Sequence, residues 1–498
     1  MRTITHWIGG KEWSETPERT GPVFNPATGE QSGEVSFATA ADVDAAVAAA
    51  AQAFEEWRHV PVTRRQNVMF EFRRIVVERR REMAELLTSE HGKTIPDAMG
   101  EVQRGLEVID FACNIAHLTK GEYSEQVSTG VDTYTIRQPL GVVAGITPFN
   151  FPAMVPMWMY PLAIAAGNTF VLKPSEKDPS VSRLAAEWLA EAGLPAGVFN
   201  VVHGDKVAVD RILEHPDIAA VSFVGSTPIA RHIYETGTSH GKRVQALGGA
   251  KNHMVVLPDA DMELAADAAV SAGYGSAGER CMAISVVVTV GDAAERLLPL
   301  VQERLAKLRT GPGDDPDSEM GPLITGEHRD RVVGFIDQGV AEGAELLADG
   351  REFTPEDHGD GFFVGPTLFD RVTPNMEIYR NEIFGPVLST VRTETYREAI
   401  ELINASPYGN GTALFTNDGG AARIFQNQIE VGMVGINVPI PVPLAFFSFG
   451  GWKDSLFGTH PIYGPGGVDF YTRPKVIISR WPDPMHRGVD LGFPQHGE

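Results

Sequence analysis

The chain is poor in several features that would narrow its function quickly. Its 498 residues include only two cysteines, Cys113 and Cys281. Two thiols cannot make a disulfide framework and suit a reducing compartment. Positive charge is scarce: 42 lysines and arginines face 65 aspartates and glutamates, for a formal net charge of −23. No nucleic-acid partner is expected, because phosphate binding needs a basic patch. An acidic substrate would have to be captured by local arginines. The start, Met1 to Gly10, has no apolar run of signal-peptide length and is not rich in Arg and Ser, so a cytoplasmic protein is expected. Asp, Glu, Lys and Arg are absent between Arg137 and Lys173. Pro148, Pro152, Pro156, Pro161 and Asn150 break that stretch, which reads as strand, loop and buried helix rather than a membrane span. There is no internal repeat, heptad array or low-complexity segment, and no metal site is expected. No Gly-x-Gly-x-x-Gly follows a strand-like run, which counts against the commonest dinucleotide site.

What is present has length enough for two or three domains. Residues 39–118 read as helices, with an alanine-rich stretch from Asp42 to Trp57 and an amphipathic one from Arg64 to His91. Residues 119–139 suit a hairpin arm. From 140 to 250, strand-like runs at Gly141 to Ile146, Thr169 to Lys173, Val198 to His203, Ala219 to Val224 and Lys242 to Leu247 alternate with helical patterns near 155–167, 180–192, 205–215 and 227–238. This alternation implies a doubly wound parallel sheet, with ligands at the carboxyl ends of the strands. A second α/β unit has strand-like runs at 253–257, 283–290, 386–392, 411–416 and 432–437. Val468 to Tyr471 and Lys475 to Trp481 look extended, and the tail after Pro482 has little to fold around.

Cys281 lies in Gly278-Glu279-Arg280-Cys281-Met282-Ala283. A preceding arginine is expected to lower a thiol's pKa and favour the attacking thiolate, although a buried core cysteine is the plain alternative. Asn150, after a strand, is a candidate oxyanion donor or an ordinary turn residue. Around these lie Pro148-Phe149-Asn150-Phe151-Pro152, Lys173-Pro174-Ser175-Glu176, Phe223-Val224-Gly225-Ser226-Thr227, Leu247-Gly248-Gly249 and Glu382-Ile383-Phe384-Gly385-Pro386. In this order and spacing, over nearly the whole chain, the set resembles the aldehyde dehydrogenase superfamily.

That resemblance implies an α/β fold of two doubly wound parallel-sheet domains with a β arm for oligomerisation. Residues 1–118 and 140–248 would bind NAD, 249–465 would carry catalysis, and 119–139 with 466–498 would form the arm of a homotetramer, a dimer of dimers. It implies Cys281 as nucleophile, with Asn150 and the Cys281 N–H as oxyanion donors. Gly225 and Ser226 would open a helix toward phosphate. Lys173 and Glu176 would hold the adenosine ribose, the carboxylate favouring NAD over NADP. Glu382 would bind the nicotinamide ribose with Phe384 packed nearby, and Phe149 and Leu247 would line the same cleft.

One position departs from the family's hydrolytic members, which carry a glutamate immediately before Leu-Gly-Gly to activate water. Here it is Ala246, so a thioester on Cys281 lacks its usual base; Glu279 is the weaker substitute. Such a thioester suits capture by another thiol, coenzyme A. With Ala250-Lys251-Asn252-His253 and Phe449-Gly450-Gly451-Trp452-Lys453-Asp454-Ser455, this resembles the coenzyme-A-acylating methylmalonate semialdehyde branch. Arg280 and Arg104 are candidate clamps for a substrate carboxylate; a helix ion pair with Glu101 or Glu107 is the plain reading of Arg104. The implied activity is NAD-dependent oxidative decarboxylation of methylmalonate or malonate semialdehyde to propionyl- or acetyl-coenzyme A. Its rivals are a hydrolytic dehydrogenase, a cysteine acyl-transferase or hydrolase pairing Cys281 with His253, and a silent structural protein. His253 reads better as a packed histidine.

Overall fold

The computed structural model describes residues 2–13, 15–353 and 360–481 of the chain. The strands Val142–Ile146 and Thr169–Lys173 are buried along their whole length, as parallel strands covered on both faces must be. They are central in an eight-stranded sheet whose spatial order is Leu456–Phe457, Arg243–Leu247, Ile218–Val224, Val142–Ile146, Thr169–Lys173, Phe199–Val201, Trp7–Ile8 and Lys11–Glu12. The five middle strands are mutually parallel. The chain winds outward in both directions from Val142–Ile146, so the topological reversal falls between that strand and Ile218–Val224. Crevices at such reversals are where open α/β sheets bind ligands.

The charge-free stretch supplies the helix Met154–Ala165, every residue of which is buried. It packs against the helices Val62–His91 and Ile95–Ala112. Among the described residues, no helix is long and apolar enough to cross a membrane. Val62–His91 stops at Gly92, whose φ of 88° requires glycine in practice. Thr94 then caps Ile95–Ala112 through the Asp97 N–H. Only Lys93 lies between these two signals, and the turn delivers it into the core.

The second unit is a seven-stranded sheet in the order Glu345–Ala348, Thr367–Asp370, Val387–Thr393, Ile284–Val290, Asn252–Val256, Gly411–Phe415 and Met433–Ile436. All neighbours are parallel except the first pair. The expected arm forms a three-stranded antiparallel sheet of Tyr123–Ser128, Val131–Pro139 and Thr472–Arg480. Among the described residues, Thr472–Arg480 has a neighbour on one edge only, and its Val476 and Ile478 are 62% and 68% exposed.

One expectation is corrected: Val468 to Tyr471 is not extended but ends the helix Gly464–Tyr471. Pro465 fits the first turn. Val468, Phe470 and Tyr471 are buried in the cluster that holds Leu162 and Ile164, so tertiary packing overrides their strand preference. The strands Glu345–Ala348 and Thr367–Asp370 were not expected. The tail after Pro482 lies outside the described residues.

Candidate active site

The helix Met262–Tyr274 runs into a tight turn, Gly275–Gly278, in which Ser276, Ala277 and Gly278 all have left-handed φ, at 54°, 51° and 74°. Left-handed backbone costs roughly 1–2 kcal/mol per non-glycine residue, so this turn is held by its surroundings. Cys281 follows. Its carbonyl accepts hydrogen bonds from the side chains of Asn252, at 2.9 Å, and Asn410, at 3.0 Å. Both asparagines sit at the amino ends of strands of the second sheet. Asn252 also accepts from the Gly411 N–H, which ties the two strands and the nucleophile loop together.

The thiol itself contradicts the expectation of a lowered pKa. Burial pushes it up to about 12; the nearby Glu382 carboxylate pushes the same way, and Arg280 opposes them only weakly. Arg280 spends its charge elsewhere: its Nη2 donates to Asp97 at 2.7 Å. Its guanidinium lies over Gly275, where a Cβ would stand 2.6 Å from Nη1.

Cys281 opens on a cavity of about 490 Å³, lined by the apolar Phe151, Met154 and Trp158 and by the charged Arg104, Arg280 and Asp97. Behind Trp158, Phe449 and Tyr463 pack with ring centroids 4.9 and 5.3 Å away. The ion-pair partner of Arg104 is Glu107, at 2.7 Å, and its Nη2 donates to the carbonyls of Val442 and Pro443. Arg104 therefore pins the 440–443 loop to the cavity's rim. Glu101 is not its partner; that carboxylate is buried and bonds Lys93.

The cofactor candidates gather at the reversal of the first sheet. Pairing sets Lys173 beside Ile146, Phe223 beside Ile146, and Leu247 beside Val224, so the strand ends are level. Gly225 continues its strand by donating its N–H to the Leu247 carbonyl, and a Cβ there would meet the Phe223 ring at 2.5 Å. Ser226 caps the helix Thr227–Ser239 without a side-chain bond of its own, leaving that helix end suited to an anion. Lys173 pairs with Glu176 at 3.2 Å. Burial pushes the Glu176 carboxyl up, but Lys173, a backbone hydrogen bond and Lys177 together outweigh it and hold the carboxyl below the ordinary range. Phe149 and Phe384 meet edge to face, 5.8 Å apart. Glu382 accepts from the Ala250 N–H at 3.0 Å, and the buried Lys251 anchors its loop through the carbonyls of Ile378 and Asn381. Glu382 and Phe384 share a small cavity with Cys281. A lysine–glutamate pair and an open helix end at the strand ends of the first sheet, with Glu382 and the Phe149–Phe384 rings beside them, could hold a dinucleotide.

Ala246 is fully buried, with Phe457 and Phe223 as its strand neighbours. Glu279 accepts from the Ile324 N–H at 3.3 Å and lies 3.5 Å from His328. Burial pushes it up to about 8. His253 hydrogen-bonds Tyr379 at 3.0 Å, and burial drives it down to about 3, as suits a packed histidine.

The sequence reading missed Asp97, Lys93, Asn252 and Asn410. A usable signal existed for the first: Asp97, Glu101 and Arg104 stand at i, i+4 and i+7, which puts three charges on one helix face.

The chain matches the model of the aldehyde dehydrogenase family over residues 13–477. It is 54% identical to a malonate-semialdehyde dehydrogenase of Pseudomonas aeruginosa over 99% of this chain and all of that one. A methylmalonate-semialdehyde dehydrogenase structure from Oceanimonas doudoroffii superposes with a TM-score of 0.96 at 52% identity, covering 97% of this chain and 99% of that one. A Sinorhizobium meliloti protein described by the same activity, solved with NAD, also gives 0.96, at 54% identity and the same coverage. With its fold, its cysteine loop and its paired sheets accounted for over this span, the chain belongs to the aldehyde dehydrogenase family.

Proposed function

We propose that the protein oxidises malonate or methylmalonate semialdehyde with NAD and passes the decarboxylated acyl group to coenzyme A. The observation that carries this is the Cys281 cavity, whose lining joins the thiol to the apolar Phe151, Met154 and Trp158 and to Arg104 and Arg280, each already paired with a carboxylate yet with guanidinium N–H groups to spare. A short aldehyde ending in a carboxylate fits that division of surface, since arginine's fork matches a carboxylate. The relatives' activities support the same substrate class.

In the proposed reaction the Cys281 thiol gives up its proton to solvent and the resulting thiolate attacks the aldehyde carbon. The Asn150 side chain and the Cys281 N–H donate to the oxyanion. When bound, NAD supplies the acceptor for the hydride released as the tetrahedral adduct collapses to a thioester. The residues that would hold it are Phe149, Lys173, Glu176, Gly225, Ser226, Leu247, Glu382 and Phe384. The β-carboxylate leaves as carbon dioxide, and the resulting enolate takes a proton. The coenzyme A thiolate then attacks the thioester carbonyl, and Cys281 departs as thiolate. Ala246 offers no base for water at the usual position, which favours the thiol acceptor.

Residues 1–118 with 140–248 would form the NAD-binding domain, and 249–465 the catalytic one. The open edge of Thr472–Arg480, with its exposed Val476 and Ile478, supports pairing with another copy in a homotetramer. Two unpaired cysteines suit the cytoplasm.

The test follows NADH absorbance on mixing the protein with NAD and malonate semialdehyde. A stoichiometric burst is expected without coenzyme A, and steady turnover with it. Rapid steady turnover without a thiol acceptor would instead identify a hydrolytic enzyme.

A further inference from the structure

The Lys93–Glu101 ion pair is buried completely, with both side chains 0% exposed and Nζ 2.7 Å from Oε2. Burying two charges costs desolvation energy that their attraction often fails to recover, so such a pair asks for a reason beyond stability. Its remaining hydrogen bonds supply one. Lys93 Nζ donates to the Asn150 carbonyl at 2.7 Å. The second Glu101 oxygen accepts from the N–H groups of Ala153, at 2.8 Å, and Met154, at 3.1 Å. Between these grips lie only Phe151 and Pro152, and Lys93 Nζ stands 4.4 Å from the Phe151 ring centroid. One ion pair thus holds the Asn150–Met154 segment by a carbonyl at one end and two amides at the other.

We infer that Lys93, backed by Glu101, is the positioning residue for Asn150, fixing the backbone from which its side chain donates to the oxyanion. This rests on the reading of Asn150 as that donor. Lys93 touches no reacting atom and acts through the Asn150 peptide. The backbone around it is built for delivery: the left-handed Gly92 and the Thr94 cap turn the chain so that Lys93 points inward. Glu101 comes from the helix face that also presents Asp97 to Arg280.

The experiment is a double-mutant cycle on the pre-steady-state NADH burst of the full-length protein with NAD and malonate semialdehyde. Asn150→Ala should slow the burst about 10²–10³-fold. Lys93→Met should slow it by up to about 10²-fold, the scale of a misplaced catalytic group, with NAD affinity unchanged. The double variant should be no slower than Asn150→Ala within roughly two-fold, because a positioner loses its effect once its target is gone. Because Lys93→Met leaves Glu101 unpaired, Lys93→Met/Glu101→Gln serves as the second variant. It keeps an acceptor for the Ala153 and Met154 amides and should fold, yet still show the slow burst. A wild-type burst in a folded Lys93 variant, or losses that multiply in the cycle, overturns the positioning role while leaving Asn150 in place. A wild-type burst in Asn150→Ala overturns the oxyanion reading itself, and the positioning role with it.

Discussion

The protonation of Cys281 is open to direct measurement. Burial first, and the Glu382 carboxylate second, lift its thiol from 9.0 to about 12. At pH 8 an ordinary thiol of pKa 9.0 is about one tenth thiolate, whereas one at 12 is about 10⁻⁴ thiolate; the difference is roughly 4 kcal/mol of nucleophile ionisation. Since the thiolate is the reacting species, iodoacetamide should label Cys281 in the ligand-free protein about 10³-fold more slowly than it labels a model thiol at pH 8. The rate should climb about ten-fold per pH unit with no plateau below pH 10. Peptide mass spectrometry separates Cys281 from Cys113, whose thiol burial also pushes up to about 12. Glu382→Gln should speed labelling at pH 8, by about ten-fold at most, because it removes the second cause and leaves the first. A plateau below pH 9 in the free protein would refute the burial argument and restore Arg280 as the activating charge.

Three further outcomes are expected. Arg280→Ala should reduce kcat/KM for malonate semialdehyde by about 10- to 150-fold, the worth of a charge-assisted hydrogen bond of 1.5–3 kcal/mol, and change propanal far less; equal losses for both substrates make Arg280 structural. Glu176→Gln should narrow the preference for NAD over NADP, and steady-state kinetics with both cofactors would expose a wild type without any preference. Glu279 has a folded-state pKa raised to about 8, so the folded protein holds a proton that the unfolded chain releases near pH 4.5. Its penalty therefore grows as pH rises from about 4.5 to 8 and levels off above, reaching about 5 kcal/mol at most. Glu279→Gln should accordingly raise Tm more at pH 8 than at pH 5, and a difference independent of pH would contradict the buried, protonated carboxyl.

Much of the fold was readable because parallel strands write themselves as short apolar runs: Thr169 to Lys173 was bounded from its pattern alone. Packing decided what periodicity could not. Val-Asp-Phe-Tyr at 468–471 has strand-forming residues, and only its contact with the Met154–Ala165 helix makes it helical. The strand ends that carry the candidate site residues Asn150, Lys173 and Gly225 were legible, because an apolar run followed by a polar motif marks the edge of a parallel sheet. The site was least legible where function depends on charges that meet in space: Lys93 with Glu101 is separated by only eight residues, yet nothing local reveals that both turn inward. The thiol's ionisation was misread for the same reason. Adjacency to Arg280 is a sequence fact, while the guanidinium's commitment to Asp97 is a tertiary one.

The left-handed turn before the nucleophile bears on redesign. Gly278 abuts the Gly385 carbonyl so closely that any Cβ would collide with it, which presses the cysteine loop against the Glu382 loop, backbone to backbone. These two loops form one rigid joint, and libraries that randomise 275–278 or 384–386 should return mostly inactive clones. Gln103, Ile440 and Val442 also line the cavity. Diversity spent there can reshape the chamber for longer or branched aldehydes without disturbing the backbone joint beside the thiol.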